Sequence, residues 1–116
     1  MNVRSVDGVL VARVRGDVDL DSSERFAEGL APLREGDAPA VVDLAEAGFF
    51  DSNGLHVVVG LRRSLEGAGR RLAVACPPGP VRKLFELTAV ERLVPVYGDA
   101  GEAVRALREV VSVAAP

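Results

Sequence analysis

Two short and almost unbroken apolar runs, Ala40-Val41-Val42-Asp43-Leu44 and Leu72 to Cys76, constrain the fold of this chain more than any other feature. A strand with one wet face alternates apolar and polar residues, so an unbroken run bounded by turn signals fits a central strand covered on both faces. A helical pattern lies between the two runs, and strand, helix, strand is the sequence form of a parallel crossover unit. At 116 residues and 48% apolar content the chain is long enough for one packed core and too short for two. The expectation is a single α/β domain over residues 1–116, with its core from about 3 to 111.

The rest of the chain fills in that frame. Val3 to Val6 and Val9 to Val14 read as strands joined by Asp7-Gly8, a strong two-residue hairpin signal. Val9, Val11 and Arg13 face one way, and Leu10, Ala12 and Val14 the other. Gly16-Asp17-Val18-Asp19-Leu20 is expected to break the strand, and Asp21-Ser22-Ser23-Glu24 resembles a capping box with Asp21 as cap. Phe26, Leu30 and Leu33 give the next helix its buried face, with Pro32 disturbing its end. In the helix after Asp51, Leu55, Val58, Leu61, Leu65 and Ala68 fall inward at about 100° per residue. Ser52, His56, Gly60 and Arg63 fall outward, with Val59 at the boundary. Gly67-Ala68-Gly69 ends that helix. Pro77-Pro78-Gly79-Pro80 opens another, with Val81, Leu84, Phe85 and Thr88 inward. Val94 to Tyr97 reads as a short edge strand. Asp99 caps a last helix that buries Ala103 or Val104, Leu107, Val110 and Val111. The sum is a mixed β-sheet with an N-terminal antiparallel hairpin and about four α-helices.

Composition excludes several functions. A net charge of −3 lacks the basic excess that draws a chain onto nucleic acid or an anionic membrane. No apolar run approaches the roughly 20 residues of a membrane span, and the first ten residues lack a signal peptide's basic start, so a cytoplasmic protein is expected. Cys76 is the single cysteine, which rules out an internal disulfide and a thiolate metal site; it reads as a small buried hydrophobe. Of the 14 basic residues only Lys83 is lysine. The partners expected are proteins or small molecules.

Chemistry concentrates at Asp51-Ser52-Asn53-Gly54-Leu55, where a hydroxyl stands between an acidic strand end and the first turn of a helix. A serine there can cap the helix or carry a phosphate. Ser52 and His56 are one turn apart, but nothing orients the histidine and no oxyanion donors accompany them, so catalytic residues are not expected. Asp17, Asp19 and Asp51 lie at strand ends that could converge. A receiver-type phosphoaspartate site would add a lysine at a late strand end, whereas Lys83 falls in a helix. Glycine-rich phosphate cradles are absent, and neither cofactor nor metal is expected.

Phe49-Phe50-Asp51-Ser52-Asn53-Gly54-Leu55, with Val41-Val42-Asp43-Leu44 before it and Pro80-Val81-Arg82-Lys83-Leu84-Phe85-Glu86-Leu87 after it, resembles the STAS domain of the anti-sigma factor antagonist family. Gly16-Asp17-Val18-Asp19-Leu20 resembles that family's early glycine-acid-hydrophobe-acid segment, and the likeness runs from about Val3 to Val111, leaving no room for a second function-bearing domain. The resemblance implies that Ser52 is phosphorylated by a partner that is both anti-sigma factor and ATP-dependent serine kinase. The unphosphorylated antagonist captures that partner and frees a sigma factor, and a phosphatase restores it. Asp17, Asp19, Asp51, Ser52, Asn53, Gly54, His56, Val59 and Arg63 form the expected contact set. Three departures stand out: Asn53 replaces the family's serine or threonine, Ala89 replaces a glycine, and His56 occupies a position often held by a small residue. Rival readings are a constitutive accessory subunit of a lipid-transport ATPase, a stressosome-like scaffold, and an enzyme of receiver or hydrolase type.

Overall fold

The computed structural model describes the backbone of residues 1–114 and the side chains of residues 1–108. Strands β1 (Asn2–Val6) and β2 (Val9–Val18) form the antiparallel hairpin, with Val6 opposite Val9. Asp7 (φ 51°) and Gly8 (φ 82°) both take the left-handed backbone of a type I′ turn. Three parallel neighbours follow in chain order, β3 (Ala40–Phe50), β4 (Leu72–Ala75) and β5 (Val96–Tyr97), giving a five-stranded sheet of order β1-β2-β3-β4-β5.

Because each crossover steps the same way across the sheet, right-handed connections put all the intervening helices on one face. These are α1 (Ser23–Gly29), α2 (Ala31–Glu35), α3 (Ser52–Gly67) and α4 (Pro80–Leu87). Their apolar sides meet Ala12, Val14, Val18, Val42, Leu44, Phe50 and Val74 in the larger core. Helix α5 (Ala100–Ala114) follows the last strand and covers the other face, where Ala103, Val104 and Leu107 pack on Val9, Val11, Val41, Ala73 and Ala75. Both apolar runs are fully covered, down to Asp43, whose carboxylate pairs with Arg13 at 3.5 Å and accepts the Ala45 N–H.

Several expectations are corrected by this packing. The strand does not break at Gly16: β2 continues through Asp17 to Val18. Gly16 at φ 84° and two register shifts against β3 let it do so. The first helix is two short ones, with Leu30 ending α1 and preceding α2, and Pro32 sits at the start of α2, where its missing N–H costs nothing. The cap of α1 is Ser22, not Asp21. Ala68 and Thr88 follow the last turns of α3 and α4 and are exposed. Val110 and Val111 lie outside the residues whose side chains are described. Ala89, which stands where the family it resembles has a glycine, takes a left-handed backbone (φ 61°), at a cost of roughly 1–2 kcal/mol for a residue with a Cβ.

The strands differ sharply in length. Strand β1 pairs β2 only as far as Arg13, and β4 pairs β3 only as far as Asp43. Beyond those residues β2 and β3 run on together as a two-stranded ribbon to Val18 and Phe50. The helical side of the ribbon is buried, whereas the α5 core stops at Ala75, Tyr97 and Ala100 and leaves the opposite side open.

Candidate functional site

The ribbon's end is where the chemistry-bearing residues meet. Asp51 has an extended backbone (φ −125°, ψ −167°), and its Oδ1 accepts the Asn53 N–H at 2.9 Å and the Asn53 side-chain amide at 3.2 Å. The Asp51 N–H donates to the Val18 carbonyl at 3.3 Å, tying the cap to the end of β2. The cap is therefore the aspartate, and Ser52 is the first residue of α3, exposed to solvent. Asn53, the departure from the family's hydroxyl, serves the cap through its amide.

Asp17 reaches across from β2. Its Oδ1 accepts the Phe49 N–H at 2.7 Å and lies so close to Gly48 that a Cβ there would collide with it. Asp19 forms a reciprocal pair with Ser22: the Asp19 N–H donates to Ser22 Oγ at 2.9 Å, and the Ser22 N–H donates to Asp19 Oδ1 at 3.1 Å. The Ser22 hydroxyl lies 3.0 Å from both Asp19 Oδ1 and the Asp17 carbonyl. The Ser22 hydroxyl and amide hold the Asp19 carboxyl below its ordinary range, because donors to the charged form favour ionisation. Among the described residues no three His, Cys, Asp or Glu side chains come together as a metal-binding group.

The outward stripe of α3 is as the helical repeat lays it out, with His56, Gly60 and Arg63 exposed and Val59 half-buried. Gly54 is different. It is buried against the Phe50 ring, 2.6 to 2.9 Å from where a Cβ would stand, so the expected contact residue offers no surface. Phe50 in turn packs edge-on to Phe26 and stacks on Phe85, both at 5.8 Å between ring centres. Two residues that the sequence reading did not single out are exposed near the ribbon's end: Phe49, beside the core residue Phe50, is 56% exposed, and Leu20, in the turn after β2, is 73% exposed. The signal for Phe49 was available, since adjacent strand residues point to opposite faces and Phe50 is core. Cys76 is buried, and burial pushes its thiol up against the opposing pull of Arg82. No helix among the described residues is long and apolar enough to cross a membrane.

Fold and site together define a small α/β domain whose exposed serine and acidic rim gather at the carboxyl ends of its two longest strands. A STAS domain model matches residues 1–103. The anti-sigma F factor antagonist of Paenibacillus polymyxa is 31% identical over 107 residues, covering 90% of this chain and 91% of that protein. An anti-sigma factor antagonist from Mycobacterium paratuberculosis has a crystal structure that superposes with a TM-score of 0.85 at 24% identity, over 92% of each chain. The Bacillus cell fate determinant SpoIIAA in its phosphorylated form superposes with a TM-score of 0.66 at 21% identity, over 90% of this chain and 96% of that one. The chain belongs to the STAS domain family, among the relatives known as anti-sigma factor antagonists.

Proposed function

We propose that this protein is a non-enzymatic, cytoplasmic anti-sigma factor antagonist that binds a serine-kinase anti-sigma factor while Ser52 is unphosphorylated, thereby releasing a sigma factor. Phosphorylation of Ser52 by that partner switches it off, and a phosphatase resets it. The observation that carries this reading is the position of Ser52: exposed, first in α3, with the capping bonds taken by Asp51. A phosphate there adds about −1.5 to −2 charges beside the helix amides, which favour an anion by roughly 0.3–1 kcal/mol. A like charge brought to about 4 Å at a surface dielectric of about 20 costs about 4 kcal/mol, and each ~1.4 kcal/mol is tenfold in affinity. Repulsion at the interface therefore outweighs the local gain, and binding is lost while the domain stays folded. Asp17, Asp19, Asp51, Asn53, His56, Val59 and Arg63 border the hydroxyl's side of the domain as the remaining contacts.

The test incubates the protein with purified histidine-kinase-like anti-sigma factors of its own genome and ATP, reading phosphate by intact mass and peptide mapping. A single phosphate on Ser52 is expected; no modification by any of them sinks the switch. Under ATP, Ser52→Ala retains binding and Ser52→Asp weakens it at least about tenfold. Equal affinities would show that charge at this position is irrelevant.

A further inference from the structure

The open side of the β2–β3 ribbon is not packed by α5 or any other helix in the two cores. Its helical side is core, yet Ala45, Glu46 and Phe49 lie exposed beyond the reach of α5, as do Arg15 and Asp17 by the cavity next to α1. Aromatic side chains are enriched in the cores of protein interfaces relative to the rest of the surface. Phe49 and Leu20 are the most exposed of the large apolar side chains near this end of the strands; Met1, also half exposed, turns instead toward Gly29 and the cavity by α1.

Phe49 is also rigidly held. Asp17 accepts its N–H at 2.7 Å, and the next residue, Phe50, is locked between Phe26 and Phe85. An aromatic side chain on a fixed backbone loses little freedom on binding, which is the property of an interface anchor. The surrounding charge says what it would meet. Asp17, Asp19, Asp21, Glu24, Glu46 and Asp51 are acids of this end; of the two bases near them, Arg15 is held by Glu46 at 2.6 Å and Arg25 stands by the cavity that Asp17 and Ser22 line, so acid is in excess.

We propose that Phe49 is the apolar anchor of the partner interface, with Leu20, exposed past the end of β2, as a lesser contact, and that it fills a pocket on the anti-sigma factor lined by arginine and lysine where it faces Asp17, Asp19 and Glu46, apart from the acidic group that the switch sets opposite Ser52. This deepens the reading given above and rests on it. Ser52 and Phe49 then stand three residues apart on either side of one strand end: the hydroxyl sets whether the partner is held, and the ring supplies the hold.

The test measures affinity for the same purified anti-sigma factors in ADP, where no phosphate is transferred, for the wild type, Phe49→Ala and Leu20→Ala. Phe49→Ala is expected to raise Kd at least about 30-fold and Leu20→Ala about 3- to 10-fold, with melting temperatures unchanged because both side chains are exposed. The wild-type Kd rises as NaCl goes from 50 to 500 mM, as an acidic rim facing a basic one requires. Wild-type binding with a Phe49→Ala Kd within about threefold overturns the anchor and leaves the switch standing; absence of wild-type binding overturns both. A self-association of this chain abolished by Phe49→Ala, with anti-sigma factor affinity unchanged, also overturns it.

Discussion

Gly54 illustrates how one residue can look like surface in a motif and be core in the fold. It lies in the first turn of α3 with the Phe50 ring where a side chain would be, and that ring is pinned by Phe26 and Phe85. Gly54→Ala gains up to about 1 kcal/mol of helix propensity and loses about 1–3 kcal/mol to overpacking. The net expectation is a destabilisation of about 1–2 kcal/mol, read as a fall of several degrees in Tm. Gly60, in the same helix, meets nothing within 4 Å, and Gly60→Ala should instead stabilise by up to about 1 kcal/mol. Thermal melts of the pair decide the matter: equal shifts would remove the packing account. At this scale the outward stripe of Ser52, His56 and Arg63 was legible because a helix has one period and its buried residues fix the phase. Gly54 was not, because a glycine carries no side chain to reveal which face it occupies.

Among the elements, α2 has five residues, no side-chain cap and a proline in its first turn. What ends it is Arg70, a residue 36 positions beyond Arg34. The buried guanidinium donates from Nε to the Ala38 carbonyl at 2.8 Å, from Nη1 to the Arg34 carbonyl at 3.2 Å, and from Nη2 to the Leu33 carbonyl. These carbonyls belong to the last turn of α2 and the loop after it, where the helix itself leaves carbonyls without a donor. Arg70→Met keeps the apolar stem and strips three charged bonds, which should cost about 2–3 kcal/mol in urea unfolding. Arg71→Met, at an exposed position, should cost less than about 0.5 kcal/mol. Most elements were legible in advance: the Asp7-Gly8 hairpin, both covered strands, α3 with its glycine end, and the edge strand after Pro95. The misreadings fall where local chemistry competes. Gly16 and Asp17 carry turn signals, yet pairing with β3 and the Asp17 bond to the Phe49 amide hold them in a strand. Asp21 and Glu24 spell a capping box, yet the Asp19–Ser22 pair sets the helix start one residue later.

The whole molecule keeps Ser52 apart from the packing that holds it folded. Both cores lie on the sheet's faces, sealed by α1–α4 on one side and α5 on the other, and Ser52 belongs to neither. Under the proposed switch, Ser52→Asp, or the protein phosphorylated there, should therefore melt within about 2 °C of the wild type; a large fall in Tm would mean that a charge at Ser52 acts by unfolding the domain. The sequence alone determined the α/β class, the mixed sheet, the faces of α3 and the singular hydroxyl of the motif, because periodicity, turn residues and residue chemistry act over a few neighbouring positions. Only the tertiary structure decided that β2 and β3 outrun their neighbours, that Phe49 stays exposed where Phe50 is core, that Gly54 is walled in, and that Arg70 closes α2. Those features depend on where residues far apart in the chain come to rest, and strand length, helix coverage and carbonyl capture are settled by packing across those distances.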